Sequence, residues 1–216
     1  MLEGPAYRLG TDRLQLACVG PQDARELHEV VRVERARLAE HLPWAREEPL
    51  SLDARLAMVR AMRARFDLGQ ECFWTMREAG RFVGMAGLHA GATPDSRSVG
   101  YWLRQDACGR GLAGEAVCAV LAAAFLVEGA LRVELRVAPA NLRSTRLAAR
   151  LGFAREGVLR DALPALRGGR EDLELHAIGR YDAPNEARRA VATRGFDALD
   201  RELFDIARSA ATPRST

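Results

Sequence analysis

The chain has 216 residues, which is enough for one globular domain with a sizeable apolar core. Its net charge of +3 is too small to indicate a nucleic acid as a partner. All 32 basic residues are arginine, and the absence of lysine excludes both a lysine-dependent phosphate loop and a Schiff-base enzyme.

Cysteine spacing and hydropathy predict the compartment. Cys18, Cys72, Cys108 and Cys118 lack the spacing of metal ligands, so we expect reduced thiols and no metal. Cys108 lies in a glycine-rich turn, where a reactive thiol is one interpretation, but no histidine is near it in sequence and we favour an incidental thiol. The chain shows neither a signal-peptide pattern nor an apolar run long enough to span a membrane. We therefore predict a cytoplasmic protein without a membrane partner.

The N-terminal part is predicted to contain one strand and two helices. Residues 1–10 look like an irregular lead-in, and alternating apolar residues over 13–19 predict the first strand. Pro21 opens a helix and Pro43 ends it, because proline is tolerated in the first turn of a helix but not in its interior. Ser51 is a suitable N-cap for the second helix.

A hairpin and a third strand follow. Residues 71–78 and 81–88 are predicted strands joined by Ala79-Gly80, a short turn typical of a hairpin. The next strand begins at Val99, where apolar residues again alternate.

A glycine-rich turn follows this strand and opens the central helix. Gly109 and Gly111 can bring bare backbone N–H groups next to a ligand, and a helix start adds partial positive charge. Arg110 would add a charged contact at the rim. From Leu112 onward the residues are small and apolar without proline, which suits a buried helix. The turn therefore predicts a cradle for a phosphate or pyrophosphate.

The remaining elements complete an alternation of strands and helices without a repeated β-α-β series. Residues 131–137 form a predicted strand, residues 141–151 a short helix, and two strands follow, one after Gly152 and one over 170–181.

The last segment is predicted to be an amphipathic helix from Pro184 to about Ser209. Its basis is the three-to-four spacing of Phe196, Leu199, Leu203 and Ile206. We expect this helix to lie on its own domain, with a lid or a dimer contact as alternatives. The division that follows is a domain of residues 1–182 and a C-terminal helical extension of residues 183–216.

The spacing of Gly109, Gly111 and Gly114 also fits the G-x-G-x-x-G pattern of dinucleotide-binding folds. Such folds run the strand almost directly into the first glycine and place an acidic residue at the end of the next strand. Here residues 104–108 intervene, and Glu134 lies within the next strand. A dinucleotide oxidoreductase is therefore a distant alternative.

The chain resembles the GNAT superfamily of N-acetyltransferases in three motifs that occur in the right order. The strand 101–103 with the turn 108–113 looks like its acetyl-coenzyme A motif. Asn141 to Ser144, ahead of Leu151-Gly152-Phe153, is similar to its second hallmark. Residues 40–44, EHLPW, resemble a segment of the Rim-type branch, which acetylates ribosomal-protein N-termini. The resemblance covers roughly residues 13–182. One departure is Asp106, where the family usually has Gln or Arg.

This resemblance implies an α+β fold, classed as α/β in some schemes. It implies a mixed, mostly antiparallel central sheet of six to seven strands flanked by helices, to which the extra C-terminal helix is added. It also implies acetyl-CoA as cosubstrate, with the strand before the turn splayed from its neighbour to admit the pantetheine. The residues assigned to acetyl-CoA are Trp102, Leu103, Arg104, Cys108, Gly109, Arg110, Gly111, Leu112, Ala113, Asn141 and Ser144.

The implied reaction is direct attack of a primary amine on the acetyl thioester, with a protein N-terminus as the favoured acceptor. By analogy with the branch, Ser144 protonates the thiolate; the alternative is a hydroxyl that caps its own helix. The general base has three candidates. One is Asp161, which lies two residues before Leu163, the position at which some relatives have an acidic residue. The others are His89 and His41.

His41, Trp44 and Tyr101 are the predicted substrate contacts, although each histidine could equally be structural and Trp44 could be a buried hinge residue. Two alternatives to a protein N-terminus stay open, namely a small amine of the aminoglycoside or polyamine type and a non-catalytic acyl-CoA-binding module. Glu40, Glu47 and Glu48 are compatible with a polycation. We expect no nucleic-acid partner, and a homodimer stays open.

Overall fold

Alternating apolar residues build one sheet in the computed structural model, which describes residues 4–207 apart from 167, 183 and 185. The described residues form ten strands in the order β10-β9-β1-β2-β3-β4-β5-β6-β8-β7. The strands are β1 (Arg8–Gly10), β2 (Leu14–Cys18), β3 (Cys72–Glu78), β4 (Arg81–Ala90), β5 (Ser96–Leu103), β6 (Arg132–Val137), β7 (Ala154–Pro164), β8 (Arg170–Gly179), β9 (Thr193–Phe196) and β10 (Glu202–Ile206). Within the described residues β5 and β6 pair in parallel and every other pairing is antiparallel.

Helices cover both faces of this sheet, as expected for the α+β class. They are α1 (Ala24–Ala39), α2 (Leu52–Asp67), α3 (Leu112–Leu126), α4 (Leu142–Leu151) and α5 (Glu186–Arg189). Neighbouring strand residues point to opposite faces, so Phe73 packs in the core under α1 and α2, whereas Trp74 packs in the core under α3 and α4. Among the described residues, no helix is both long and apolar enough to cross a membrane.

Local signals start the helices where they were predicted. Ser51 Oγ accepts a hydrogen bond from the Ala54 N–H at 3.1 Å and caps α2. Asn141 Oδ1 caps α4 by accepting from the Ser144 N–H at 3.2 Å. Small residues bury nearly all of α3, so the helix lies close against the sheet.

The sheet opens between β5 and β6. These strands pair only where residues 96–98 of β5 lie beside residues 132–134 of β6. Beyond that point β5 runs on to Leu103 and β6 to Val137 without pairing to each other. The backbone polar groups of residues 99–103 on that edge therefore have no partner on β6, and the Leu103 carbonyl accepts from Arg37 Nη2 instead. The opening agrees with the splay that the family resemblance implies.

The predicted C-terminal helix is wrong for the residues that the structure describes. After the four-residue α5, β9 and β10 form a hairpin, and β9 pairs with β1. β1 corrects residues 8–10 of the predicted irregular lead-in, whereas residues 4–7 lie outside helices and strands, as predicted. Asp197 Oδ1 accepts from the N–H groups of Leu199 and Arg201 at 2.8 and 2.9 Å. These bonds stabilise a turn between β9 and β10, where the spacing of apolar residues had predicted an uninterrupted helix. Residues 208–216 lie outside the described residues.

The described residues form three strands beyond the predicted six to seven, namely β1 near the N-terminus and β9 and β10 in the C-terminal segment. The edge of β2 presents backbone groups that β1 satisfies, and β9 does the same for β1. Thr193 is buried, and Leu203 and Phe204 pack against the main core. The division of the chain at residue 182 remains a prediction.

Candidate active site

The glycine turn has the backbone conformation that its glycines permit. Gly109 and Gly111 have φ values of 77° and 83°, in the left-handed region that a side chain disfavours. The first intrahelical bonds of α3 are donated by the N–H groups of Gly114 and Glu115 to the Gly111 carbonyl at 3.0 and 3.3 Å. The N–H groups of Leu112 and Ala113 therefore have no acceptor within the helix, which is the geometry of an anion cradle.

Two residues that sequence reasoning missed hold this turn in place. Arg13 donates through Nη1 to the Arg110 carbonyl at 2.9 Å and through Nε to Glu115 Oε1 at 2.6 Å. Thr11 Oγ1 donates to the other oxygen of Glu115 at 2.9 Å. The chain end of β1 and the start of β2 thus brace the turn, and no local pattern links them to it because they are about 100 residues away in sequence.

The charged residues of the turn are already paired with protein groups. The Arg110 guanidinium binds both oxygens of Glu78 at 2.7 and 2.8 Å, so its side chain lies on the outside of the turn. Hydrogen bonds from Arg104 and Arg81 lower the pKa of the Asp106 carboxyl. This pairing explains how an acidic residue is accommodated three positions before Gly109.

A cleft of about 850 Å³ runs from the glycine turn to the opening between β5 and β6. Arg104 and Arg110 do not line it, but the other nine residues predicted to contact acetyl-CoA do: Trp102, Leu103, Cys108, Gly109, Gly111, Leu112, Ala113, Asn141 and Ser144. The cleft also contains Arg143 and Arg146 on α4, which have no ion-pair partner among the described residues and which sequence reasoning missed. Two free cations beside the cradle suit a ligand with several phosphates.

Tyr101 and Ser144 meet where this cleft enters the sheet. The Tyr101 hydroxyl donates to Ser144 Oγ at 3.0 Å, and burial raises the pKa of the Tyr101 phenol. Asn141 caps α4, so the hydroxyl of Ser144 is not required for that purpose. Ser144 therefore has an oriented hydroxyl with a proton donor behind it.

A second cavity, of about 480 Å³, lies under α1 and α2 on the other face of the sheet. It shares Leu42, Tyr101 and Trp102 with the cleft, so the two spaces meet at the opening between β5 and β6. Trp44, one of the predicted substrate contacts, lines this second cavity, with its ring 6.1 Å from that of Trp102. His41 lines the cleft instead.

His89 projects into the second cavity with a carboxylate behind it. Its Nδ1 lies 2.9 Å from Glu71 Oε1, and the other oxygen of Glu71 lies 2.9 Å from Arg65 Nε. A carboxylate only accepts hydrogen bonds, so Nδ1 carries a proton in this contact, and in the neutral imidazole the lone pair is on Nε2. Sequence reasoning proposed His89 but missed Glu71 and Arg65.

Two glycines leave room for the imidazole of His89. A Cβ at Gly87 would lie 3.0 Å from His89 Nε2, and a Cβ at Gly100 would lie 3.4 Å from it. These glycines face each other on β4 and β5, so the ring lies across the strands beside the opening of the sheet. Phe73 packs edge-on against the ring at 5.3 Å. The imidazole is thereby held against Gly87 and Gly100 in the wall of the second cavity.

Asp161 is not brought together with these residues. It is exposed, has a φ of 51°, and lines neither cavity. Its N–H donates to Asp172 Oδ1 at 2.9 Å within the β7–β8 hairpin, where the register shifts between Leu159 and Leu163. The irregular pairing turns the residue away from the face that a regular strand would have given it.

Comparison with known proteins gives a family match and a related fold. Residues 13–154 match the family model described as an acetyltransferase (GNAT) domain. The uncharacterized N-acetyltransferase YoaA of Bacillus subtilis (strain 168) is 28% identical over 161 residues, 70% of this chain and 85% of that protein.

Solved structures have the same fold at low identity. A RimL ribosomal L7/L12 α-N-protein acetyltransferase in complex with coenzyme A is 20% identical with a TM-score of 0.73, covering 78% of this chain and 94% of that one. RimJ of Mycobacterium smegmatis in complex with a CoA-disulfide is 24% identical with a TM-score of 0.73, covering 86% and 94%. The microcin C7 self-immunity acetyltransferase MccE, in complex with acetyl-CoA and AMP, is 17% identical with a TM-score of 0.71, covering 78% and 93%.

Proposed function

Since the chain belongs to the GNAT family of acetyltransferases, we propose that it transfers an acetyl group from acetyl-CoA to a protein N-terminal amine. Family membership makes it an acyl-CoA-dependent N-acetyltransferase, so the proposal concerns the acceptor and the residues that act. The observation that carries it is the meeting of two cavities at Tyr101 and Trp102. A cosubstrate on one face and an amine on the other can react only there.

The cleft would hold acetyl-CoA by its charge and by the open strand edge. The pyrophosphate fits the cradle at Gly109 to Ala113, where helix N–H groups and the dipole favour an anion. Arg143 and Arg146 supply charge for the remaining phosphate. The pantetheine would bind beside the unpaired edge of β5, with backbone groups of residues 102 and 103 and the amide of Asn141 as partners. Solved neighbours in complex with coenzyme A or acetyl-CoA support this assignment.

His89 is proposed as the general base. Nε2 would take a proton from the incoming ammonium, directly or through a water, while Glu71 holds the other nitrogen in its protonated form. The freed amine attacks the thioester carbonyl carbon, where a C–N bond forms. No acyl-enzyme is required, because the amine and the thioester are brought together by the two cavities.

Collapse of the tetrahedral intermediate breaks the C–S bond and expels a thiolate. A backbone N–H on the free edge of β5 near Trp102 and Leu103 is proposed to stabilise the oxyanion. Ser144 would give its proton to the thiolate and be reprotonated by Tyr101, whose hydroxyl already donates to it. The second proton that the nitrogen loses as the amide forms passes through solvent and restores the Tyr101 hydroxyl. Burial raises the pKa of Tyr101, so its proton is present throughout the neutral range.

A protein N-terminus is favoured by structural neighbours that are themselves ribosomal-protein acetyltransferases, among them RimL and a ribosomal-protein-S5-alanine acetyltransferase from Vibrio fischeri. A small amine is the second candidate, because the acceptor side is a cavity of about 480 Å³ with carboxylates in its wall.

The test begins with cosubstrate binding. At 100-fold excess over its dissociation constant, acetyl-CoA should stabilise the native state by about 2.7 kcal/mol, whereas NADPH should not. Release of CoA thiol is then measured with N-terminal peptides, and mass spectrometry locates the acetyl group. Acetylation confined to lysine side chains would contradict the proposed acceptor, and stabilisation by NADPH alone would contradict the assignment of the cleft.

A further inference from the structure

The second cavity has an apolar wall, and this character bears on which amines it accepts. Its wall is built mainly by Trp44, Met58, Met62, Phe73, Met85 and Trp102. We propose that the acceptor is an α-amino acyl group with a large apolar side chain at the head of a peptide. This inference rests on the proposed function and names the chemistry of its acceptor.

The size of the cavity supports a large side chain. A volume of about 480 Å³ lies in the range of small-molecule pockets, and much of it would stay vacant around a serine or alanine head. Phe73, Met85 and Trp102 are buried even without a ligand, so the wall is formed in advance. Methionine side chains adapt to apolar groups of different shape. A large apolar side chain would therefore fill the cavity with little reorganisation of the protein.

The charges of the cavity are mostly cancelled within the protein. Arg55 forms an ion pair with Glu48, and Arg65 forms one with Glu71. Of the carboxylates in the wall, Glu47 alone has no ion pair among the described residues. One unbalanced negative charge favours a single ammonium group. A polyamine or an aminoglycoside carries several ammonium groups, and one carboxylate cannot pair with all of them.

Arg55 favours an acceptor molecule that carries a carbonyl or carboxylate oxygen next to its amine. Its side chain is 1% exposed and lines the cavity, with Nη2 bound to Glu48 and Nη1 3.6 Å from Met58 Sδ. Its Nε is enclosed by protein and has no hydrogen-bond partner among the described residues. Glu48 already accepts on both of its oxygens, from Arg55 Nη2 and from the Leu50 N–H. A buried N–H without a partner is costly, so a shift of the Arg55 side chain that brings Nε against a carbonyl or carboxylate oxygen of the acceptor would be favoured.

The decisive experiment compares acceptors on the unaltered protein. CoA release is measured with phenylalaninamide, leucinamide, serinamide and alaninamide, and with phenethylamine, which keeps the ring and amine of phenylalaninamide but lacks its carbonyl. We expect kcat/KM for the large apolar amides to exceed that for the small ones by about 10-fold to 200-fold. Phenylalaninamide should exceed phenethylamine by about 10-fold.

Variants separate the two parts of the inference. Met62→Trp should fill the cavity and remove the preference for large heads, whereas Ala61→Trp, on the exposed side of α2, should not change it. Arg55→Lys keeps the charge beside Glu48 but lacks Nε, so it should remove the advantage of phenylalaninamide over phenethylamine. Free phenylalanine and a phenylalanine-headed peptide, run side by side, distinguish a carboxylate from a peptide carbonyl as the oxygen, and faster turnover of the free amino acid would overturn the assignment to a peptide.

The outcomes distinguish failure of the inference from failure of the proposed function. Faster turnover of the serine or alanine amide, or equal rates with phenethylamine and phenylalaninamide, would overturn the inference and leave N-acetyltransfer standing. Absence of CoA release with every amine, by protein that binds acetyl-CoA, would overturn both.

Discussion

Tyr101 on β5 donates a hydrogen bond from its hydroxyl to Ser144 Oγ on α4, across 3.0 Å. The two residues are 43 positions apart in sequence and meet at the entrance of the opening between β5 and β6. Ser144 can pass on a proton only if its oxygen is supplied with another, and Tyr101 is oriented to supply it. The hydrogen bond therefore connects Ser144, predicted to protonate the thiolate, with Tyr101, predicted to contact the substrate.

Replacing Ser144 by Ala should lower kcat by about 100-fold and change the KM for acetyl-CoA much less, because the lost proton transfer occurs only in the transition state. Tyr101→Phe should lower kcat by a smaller factor, about 10-fold, since Ser144 remains. Steady-state kinetics with varied acetyl-CoA measures both effects. Thr145→Val, one position along α4, is the control for the helix. A rise in KM without a fall in kcat would assign Ser144 to binding instead.

Removing the imidazole in His89→Gln should lower kcat by about 100-fold to 10,000-fold, the range of general acid–base catalysis. Glu71→Gln should have a smaller effect, about 10-fold, because the imidazole stays but loses the carboxylate that orients it. Glu47→Gln is the matched control, since this carboxylate lines the same cavity without contacting His89 and should change the KM for the amine rather than kcat. Partial rescue of His89→Gly by added imidazole would support the role of a base. Equal losses in Glu47→Gln and Glu71→Gln would count against it.

Gly111→Asp should abolish tight binding of acetyl-CoA. A carboxylate about 4 Å from a phosphate at an effective dielectric constant of 20 costs about 4 kcal/mol, or nearly 1000-fold in affinity. Gly129→Asp controls for backbone strain, because Gly129 also has a left-handed φ, 68°, and lies away from the cleft. Isothermal titration calorimetry on both folded variants gives the comparison. Tight binding by the Gly111 variant would refute the anion cradle.

The four thiols should differ in reactivity. Burial raises the pKa of Cys18 and Cys118 to about 12 and raises that of Cys72 as well, whereas Cys108 is half-buried and lines the cleft. At pH 8, a disulfide reagent should modify one thiol of the native protein quickly, and coenzyme A should protect it. Cys108→Ser should remove that fast phase, and fast modification of a second thiol in this variant would contradict the assignment.

The same buried thiols give stability a definite pH dependence. The folded state keeps each proton above pH 9.0, the ordinary pKa of the thiol, where the unfolded chain releases it. Stability from this source is therefore complete below about pH 9 and is lost as the pH rises toward 12. Thermal unfolding of Cys18→Ala should show a weaker decline over this range than the unaltered protein.

The β9–β10 hairpin should contribute measurably to stability. A chain of residues 1–182 loses the pairing of β9 with β1 and the contacts of Leu203 and Phe204 with the core. A loss of about 3 kcal/mol corresponds to a fall of about 6–12 °C in Tm for a domain of this size. A chain of residues 1–207 is the matched control and should melt like the full chain. Equal Tm values for all three chains would show that the hairpin adds nothing.

The amino-acid sequence by itself determined the features that depend on residues close together in the chain, namely helix starts, turns and strands. Ser51 and Asn141 mark helix starts because their side chains accept from N–H groups three positions on. Gly111 marks the turn because only glycine adopts its φ without cost. The seven predicted strands and the order of the motifs followed from such local signals, and they were sufficient for the family.

Only the tertiary structure decided which distant side chains meet. Glu71 reaches His89, and Arg13 reaches the glycine turn, because strand register brings together residues that no local period connects. The C-terminal segment satisfied a helical spacing equally well, yet it became a hairpin since β1 had an edge to be paired. Local propensity is a weak preference, whereas an unpaired strand edge and a buried charge cost free energy that the whole fold must recover.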